Sequence, residues 1–338
     1  MQERTAQQKK GLSEDRREEE GMKHIFIVNP HAGGKDAAEP IREAIRTVST
    51  PIDAQIYLTQ CAQDATAAVR RFREKEEGHL RFYSCGGDGT LSEVATGLVG
   101  LPDVSLSCFA VGSCNDFVKY FGGEAMFHDL NTLVRGKTIK IDLLRVGDRY
   151  SINAVNFGFD SAVVKAAVKF RHVPIIGGAR AYTAGIVKAL LSDMKHRCRV
   201  IVDGEEIDPK GELLLSTFAN GSHLGGGYRC APRADMSDGL MEVCYVRPIG
   251  RMRFFGMVGA YRAGTHLDEE RFADYLIYRQ AKHVHLESEE EFDLTLDGEL
   301  IPGKSFDIEV VPSAIDFALP PHIYNRFAKE EARENATV

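Results

Sequence analysis

No stretch of this 338-residue chain comes near the roughly 18 consecutive apolar residues that a bilayer-spanning helix needs, so any meeting with lipid has to happen at a membrane surface. The seven cysteines, at 61, 85, 108, 114, 198, 230 and 244, include no CxxC pair. That argues against a disulfide framework or structural zinc site and suits a reducing cytoplasm. Positive charge is short too: a net charge of −7 gives no bulk attraction to nucleic acid or to an anionic membrane, and either contact needs a local patch. Residues 1–21 hold no apolar h-region, only an almost wholly polar run with Arg-Arg-Glu-Glu-Glu, and are expected to be a solvated tail and not a secretory signal. No GxxxxGK[ST] occurs, and Gly87-x-Gly89-x-x-Ser92 lacks the third glycine of the dinucleotide fingerprint, so neither standard phosphate loop is present. Internal repeats are absent as well.

What is present begins with 43% hydrophobic residues, enough at this length for two domains with real cores. The organising stretch is 79–100, HLRFYSCGGDGTLSEVATGLVG. Residues 80–85 read as a buried strand, Gly86-Gly87-Asp88-Gly89 breaks it, and a helical pattern resumes at Leu91 with Val94, Ala95 and Leu98 on one face. Thr90 followed three residues later by Glu93 fits a capping box and predicts a helix starting there, its free N–H groups pointing into the glycine turn. Such N–H groups, at a positive dipole end beside a loop without side-chain bulk, receive phosphate oxygens. Asp88 repels phosphate unless a cation stands between them, which makes it a magnesium-side residue.

Upstream, 23–28 is a strand, Asn29-Pro30-His31-Ala32-Gly33-Gly34 a second glycine turn, and 37–48 a helix. A strand at 54–58 ending at Thr59, a helix at 64–76, and a strand at 104–110 feeding Gly112-Ser113-Cys114-Asn115-Asp116 complete the pattern. Strands alternating with helices predict a mainly parallel sheet covered on both faces, with ligand-facing turns at its carboxyl edge. After Gly136 strands predominate, at 140–146, 150–156, 198–202, 213–219, 241–246, 284–287, 292–296 and 306–311, with helices at 162–170, 179–194 and 252–264. Gly147-Asp148 and Asp297-Gly298 read as hairpin turns. The expected fold is α/β plus all-β: an α/β nucleotide-binding domain over 22–137 and an antiparallel β-sandwich with inserted helices over 138–317.

The run Cys85-Gly86-Gly87-Asp88-Gly89-Thr90-Leu91-Ser92-Glu93 resembles the GGDGT nucleotide loop of the diacylglycerol kinase catalytic domain, as found in soluble bacterial lipid kinases similar to diacylglycerol and sphingosine kinases. The likeness continues through Asn29-Pro30, Gly112-Ser113-Cys114-Asn115-Asp116-Phe117, Ser237-Asp238-Gly239 and Asp297-Gly298-Glu299, over about residues 22–325. GGDGT alone is shared with NAD kinases and phosphofructokinases; the ordered set is more specific. The resemblance implies ATP- and Mg2+-dependent transfer of the γ-phosphate to a lipid hydroxyl, first of all diacylglycerol to phosphatidic acid. It further implies a cytoplasmic protein peripheral at the inner membrane surface, with no nucleic-acid partner and a homodimer left open. ATP contacts fall to Asn29, Gly33, Thr59, Gly87, Asp88, Gly89, Thr90 and Ser113, with Pro30, His31, Ala32, Gly86, Ser92, Glu93 and Asn115 beside them. Asp88, Asp116 and Asp238 are implied to share a magnesium and water network. The Asp238 carboxylate and the main-chain carbonyls of Asp235 and Leu240 become ligands of a second metal, although Ser237 stands where relatives commonly carry an acid. The catalytic base comes from Asp297 or Glu299, undecided between the two, and the chain end, 318–338, packs back on the first domain.

Taken singly, an Asp beside Gly or Asn is usually a turn residue, and Thr59 or Ser113 a helix cap; the joint match carries the reading. Two rivals stand beside it. An NAD kinase-like enzyme with a soluble substrate should show an Asn-Glu pair after the loop and a GSTAY-like segment, and neither occurs. A non-catalytic lipid or nucleotide binder should lack a catalytic carboxylate, and none is missing. The strongest expectation is that Asp88, Asp238 and Asp297 open onto one crevice. His283 and His285 alternate on one strand face without a third ligand, and Arg247, Arg251 and Arg253 with Phe254 and Phe255 form a cationic and aromatic patch that suits either a membrane surface or an ordinary amphipathic helix.

Overall fold

The computed structural model describes residues 21–34, 37–170, 181–192 and 194–334, so the expected tail lies outside it apart from Gly21. Four strands come first: β1 (Lys23–Val28), β2 (Asp53–Leu58), β3 (Leu80–Gly86) and β4 (Val104–Ala110). They pair in parallel in the order β2-β1-β3-β4, linked by the helices Ala38–Thr47, Asp64–Lys75 and Asp88–Leu98. Both β3 and β4 are buried over their whole length, as strands covered on two faces should be.

The second half carries β5 (Lys137–Val146), β6 (Arg149–Ser151) and β7 (Ala154–Gly158), then the helices Phe159–Phe170 and Ala181–Leu191. Short strands follow: β8 (His196–Arg197), β9 (Arg199–Val202), β10 (Glu205–Glu206), β11 (Glu212–Leu213), β12 (Leu215–Ala219) and β13 (Met241–Val246). The helix Arg251–Ala263, β14 (Leu276–Ala281), β15 (His283–Leu296), β16 (Glu299–Leu319) and a closing helix, Pro321–Glu334, complete the chain.

The two domains are joined through the sheet itself. β16 pairs antiparallel with β15 over its first part and with β5 over its last, where Phe317 also meets Leu106 of β4 in parallel. The pairing therefore runs unbroken from β14 through β13, β12, β7, β15, β16, β4, β3 and β1 to β2. Only 306–311 of this 21-residue strand reads as strand from sequence, because Pro302, Gly303 and Pro312 interrupt its alternation; the Glu-rich 287–291 splits β15 in the same way.

β5 crosses the border expected near 137. Its Ile141 and Leu143 belong to the core of the first domain and its Leu144 and Val146 to that of the second. The chain end does return, beginning at Ile315: Phe317, Leu319 and Ile323 pack with Phe117, Phe121 and Phe127 in the first core. A third core, with Phe159, Leu215, Phe254 and Tyr261, lies under the helices Phe159–Phe170, Ala181–Leu191 and Arg251–Ala263.

Candidate active site

Three turns converge at the carboxyl edge of the parallel strands. Asn29, just past β1, donates its N–H to the Cys85 carbonyl (3.0 Å) and its side-chain amide to Thr90 Oγ1 (3.3 Å). Its Oδ1 accepts the His31 N–H at 3.0 Å, which curls Pro30, His31 and Ala32 towards Gly33. The Thr59 N–H reaches the Val28 carbonyl (2.9 Å), holding the end of β2 beside β1. In the third turn Asn115 (φ 49°) accepts the Gly112 N–H on Oδ1 (3.1 Å) and donates to the Gly112 carbonyl (3.0 Å) and Glu124 Oε2 (2.8 Å), with Ser113 exposed beside it.

The second and third turns touch through glycine. A Cβ on Gly112 would lie 2.2 Å from Gly87 Cα, whereas one on Gly89 would meet nothing within 4 Å. Gly112→Ala is accordingly expected to cost at least about 1–3 kcal/mol in urea denaturation, and Gly89→Ala nothing.

The expected capping box does not form. The helix begins at Asp88, after Gly87, without a side-chain cap. Thr90 is bonded by Asn29, the Glu93 carboxylate accepts the Ala65 N–H (3.3 Å), and Ser92 Oγ donates to the Tyr150 carbonyl (3.0 Å). These partners from neighbouring elements displace the local pair.

Carboxylates face this edge from both domains. Asp88 Oδ1 accepts the Phe117 N–H at 3.2 Å. Buried Asp116 holds Lys119 Nζ on Oδ1 (2.5 Å) and the Gly226 N–H, from the second domain, on Oδ2 (2.8 Å). Burial, then the charge of Asp116 and behind it that of Asp297, push Asp88 up to about 6.

Asp297, at φ 43° in the β15–β16 turn, spends its carboxylate on that turn's neighbours. Oδ1 accepts from Ser151 Oγ (2.9 Å), Asn153 N–H (3.2 Å) and Ala154 N–H (2.9 Å), and Oδ2 from Ile152 N–H (2.9 Å). Oδ1 is filled by its three donors, and Oδ2 holds one. Glu299 is the freer of the pair: exposed, 3.3 Å from Arg149 Nη1, and 3.3 Å from Gln63 Nε2 across the cleft.

Asp238 does not join this group. Its Oδ1 accepts the Leu240 N–H (2.9 Å) and its Oδ2 a proton from Gln280 (3.1 Å), and its acidic neighbours are Asp235 and Asp142. Asp235 Oδ1 is occupied by the Ser237 N–H and hydroxyl. Asp88 feels the charges of Asp116 and Asp297 at the sheet edge, and Asp238 those of Asp235 and Asp142. Among the described residues no group of three His, Cys, Asp or Glu side chains is set to hold a metal ion. His283 and His285 share Asp307 Oδ1, at 3.0 and 2.8 Å.

An apolar cavity of about 140 Å3 lies under the third core, near the size that admits a benzene ring. Phe159, Ile186, Leu190, Leu215, Phe254 and Tyr261 line it, and so does Gly225, next in sequence to the Gly226 that binds Asp116. Asp160 stands in the same wall, its buried Oδ2 without a hydrogen-bond partner among the described residues, and burial pushes its carboxyl up to about 7. With the folded value above the usual 3.8, its contribution to stability is whole below about pH 4 and lost as pH rises through about 7. Asp160→Asn should therefore raise Tm at about pH 8, at roughly 2–4 °C per kcal/mol, and lose the advantage near pH 4 in a calorimetric series.

This architecture has known counterparts. Residues 23–146 match the diacylglycerol kinase catalytic domain, and residues 153–319 the YegS C-terminal NAD kinase beta sandwich-like domain. A Chromohalobacter salexigens protein named "Probable lipid kinase YegS-like" is 31% identical over 298 residues, 85% of this chain and 91% of that one. The chain belongs to the YegS-like lipid kinase family. A Yersinia enterocolitica protein of the same name is 28% identical over 316 residues, 89% of this chain and 98% of the other. A solved diacylglycerol kinase structure from Bacillus anthracis str. Sterne shares the fold at a TM-score of 0.62 and 21% identity, covering 89% of this chain and 98% of its own.

Within this lipid kinase fold, sequence reasoning missed Asp142, Asp160, Gly225 and Gly226. Asp142 was legible as a lone acid inside the apolar run Ile141-Asp142-Leu143-Leu144. It is buried and accepts the Gly239 and Ser313 N–H groups, both at 2.7 Å. Gly225 and Gly226 stood in the run Gly225-Gly226-Gly227, a turn signal of the same kind as the glycine loops of the first domain, and only Asp160 carries no local signal.

Proposed function

We propose that the protein transfers the γ-phosphate of ATP to the hydroxyl of a lipid, with diacylglycerol as the acceptor and phosphatidic acid as the product. One observation carries this reading: a single dipeptide joins an apolar cavity to the buried carboxylates, Gly225 lining the cavity and Gly226 donating to Asp116. A lipid whose chain end enters the cavity has its polar end led towards Asp88 and Asp116. The three turns then receive the nucleotide's phosphates on backbone N–H groups and small side chains, from Asn29 and Gly33, from Gly86 to Thr90, and from Ser113, with Thr59 beside them at the end of β2.

The carboxylates fit a divalent cation. Asp116 is close enough to Asp88 to raise its cost of ionisation, only Lys119 offsets the pair by direct contact among the described residues, and both carboxylates offer the hard oxygen donors that Mg2+ prefers. Bound there, Mg2+ would neutralise phosphate charge during transfer. The second candidate set needs main-chain help. Asp235, Asp238 and the carbonyl of Leu240, with Asp142 behind them, fit a structural ion that relieves the mutual repulsion raising Asp142 and Asp238, after the larger effect of burial.

We assign proton removal from the acceptor hydroxyl to Glu299, with Asp297 as the residue that positions its turn. A base needs a free oxygen within reach of the substrate; Asp297 already accepts four hydrogen bonds, whereas Glu299 is exposed and both of its contacts fall on Oε2. Incubation with magnesium and terminally labelled ATP, offering mixed lipids in detergent in one tube and NAD in another, tests the whole reading. Label in the lipid extract is the expected result; label in the dinucleotide, or in neither, overturns it.

A further inference from the structure

The three helices around the cavity share an unusual surface. Phe159–Phe170, Ala181–Leu191 and Arg251–Ala263 expose Val168, Val187, Leu191, Met252 and Phe255, with Leu191 at 78% and Met252 at 88% of full exposure. All but Val168 are tied to one another by the contacts that follow. Phe170, Val187 and Leu191 line a shared surface groove, and Arg251 donates to the Leu190 and Ser192 carbonyls (2.7 and 2.9 Å), which fixes Met252 beside Leu191. Phe255 links the patch to the interior, since it is exposed and also lines the apolar cavity.

Charge on these helices is one-sided. They carry Lys165, Lys169, Lys188, Arg251, Arg253 and Arg262 against a single acid, Asp160, which is turned into the cavity wall. Lys165 is paired with Asp293, whereas Lys169 and Lys188 have no acidic partner among the described residues. In a chain of net charge −7 this is a local reversal of sign. Arg251 is spent on backbone carbonyls, and Arg253 and Arg262 lie over Tyr275 and Tyr228. That leaves Lys188, in the groove itself, and Lys169, next to Phe170, as the cations beside large apolar side chains, a combination that suits the boundary between lipid headgroups and acyl chains.

Resting on the lipid kinase reading above, we infer that this three-helix face docks on an anionic lipid surface and delivers the acceptor from the bilayer past Phe255 into the cavity. A second copy of the chain fits the face less well, because an isologous pairing would set the same basic helices against each other with no acid to meet them. Attraction of basic residues to an anionic bilayer is screened by salt.

Flotation with vesicles tests this without nucleotide or turnover. The wild-type protein should bind vesicles of phosphatidylglycerol and phosphatidylcholine, bind phosphatidylcholine alone at least tenfold less, and be released by high salt. Leu191→Glu with Met252→Glu, neither lining the cavity, should lower binding at least tenfold while leaving turnover of a short-chain diacylglycerol in detergent unchanged. Lys169→Glu with Lys188→Glu should do the same, more strongly at low salt. Equal binding by variants and wild type, no binding by the wild type, or a concentration-dependent dimer that the variants abolish would each overturn the assignment. A protein that binds vesicles but phosphorylates no lipid in detergent would instead sink the kinase reading and leave the docking face standing.

Discussion

Asp88→Asn should lower kcat by roughly 10²-fold or more, in line with the loss of a preorganised charge, and leave the protein at least as stable as before. The two halves of this result have one cause. Asp88 is held up at about 6 by burial and by Asp116, so its ionised form is strained at neutral pH in the free protein. A folded value above the usual 3.8 means that its stabilising contribution is complete below about pH 4 and is lost as pH rises through about 6. Asparagine keeps the shape and removes the repulsion, so thermal stability at about pH 8 should rise while activity collapses. The same titration predicts an acid limb near pH 6 in kcat/KM for the wild type, since the free protein then loses the charge that the reaction uses. Near-normal turnover in Asp88→Asn, measured with labelled ATP, would remove this carboxylate from the mechanism. An ordinary structural aspartate gives the opposite pattern, with stability lost and activity following it down.

Glu299→Gln should cost roughly 10²-fold or more in kcat with little change in KM or in the unfolding midpoint, as expected when a general base is removed from an exposed position. Asp297→Ala should differ in kind. It strands the N–H groups of Ile152, Asn153 and Ala154 and the hydroxyl of Ser151, at about 1–3 kcal/mol for each one left buried and unpaired. The turn then loosens and activity falls through misplacement. Urea denaturation beside steady-state kinetics separates the two roles: a stable, inactive Asp297→Asn together with an active Glu299→Gln would reverse the assignment.

Much of the first domain was legible because its local and long-range preferences agree. Apolar runs at β1, β3 and β4 end in glycine turns, and the turn residues Asn29, Gly33, Gly87 and Gly112 converge because parallel strands bring their carboxyl ends to one edge. The hairpin at Asp297-Gly298 was equally clear, with both residues at positive φ as a two-residue turn requires. β16 was not, since its prolines and glycine hide a strand that spans both domains. The capping box failed because Thr90 and Glu93 found better partners on other elements.

From the order of residues alone came the parallel nucleotide domain, the glycine turns, the family likeness and most of the acidic candidates, because strand, turn and helix signals act over a few neighbours. Folding alone decided which acids meet. It set Asp238 beside Asp235 and Asp142, brought Gly226 onto Asp116, placed Asp160 in the wall of an apolar cavity, and gave Asp297 four hydrogen-bond donors while leaving Glu299 exposed. Such pairings join residues as far as 146 positions apart, and no local pattern encodes them, since proximity there is set by how the sheet packs and not by spacing along the chain.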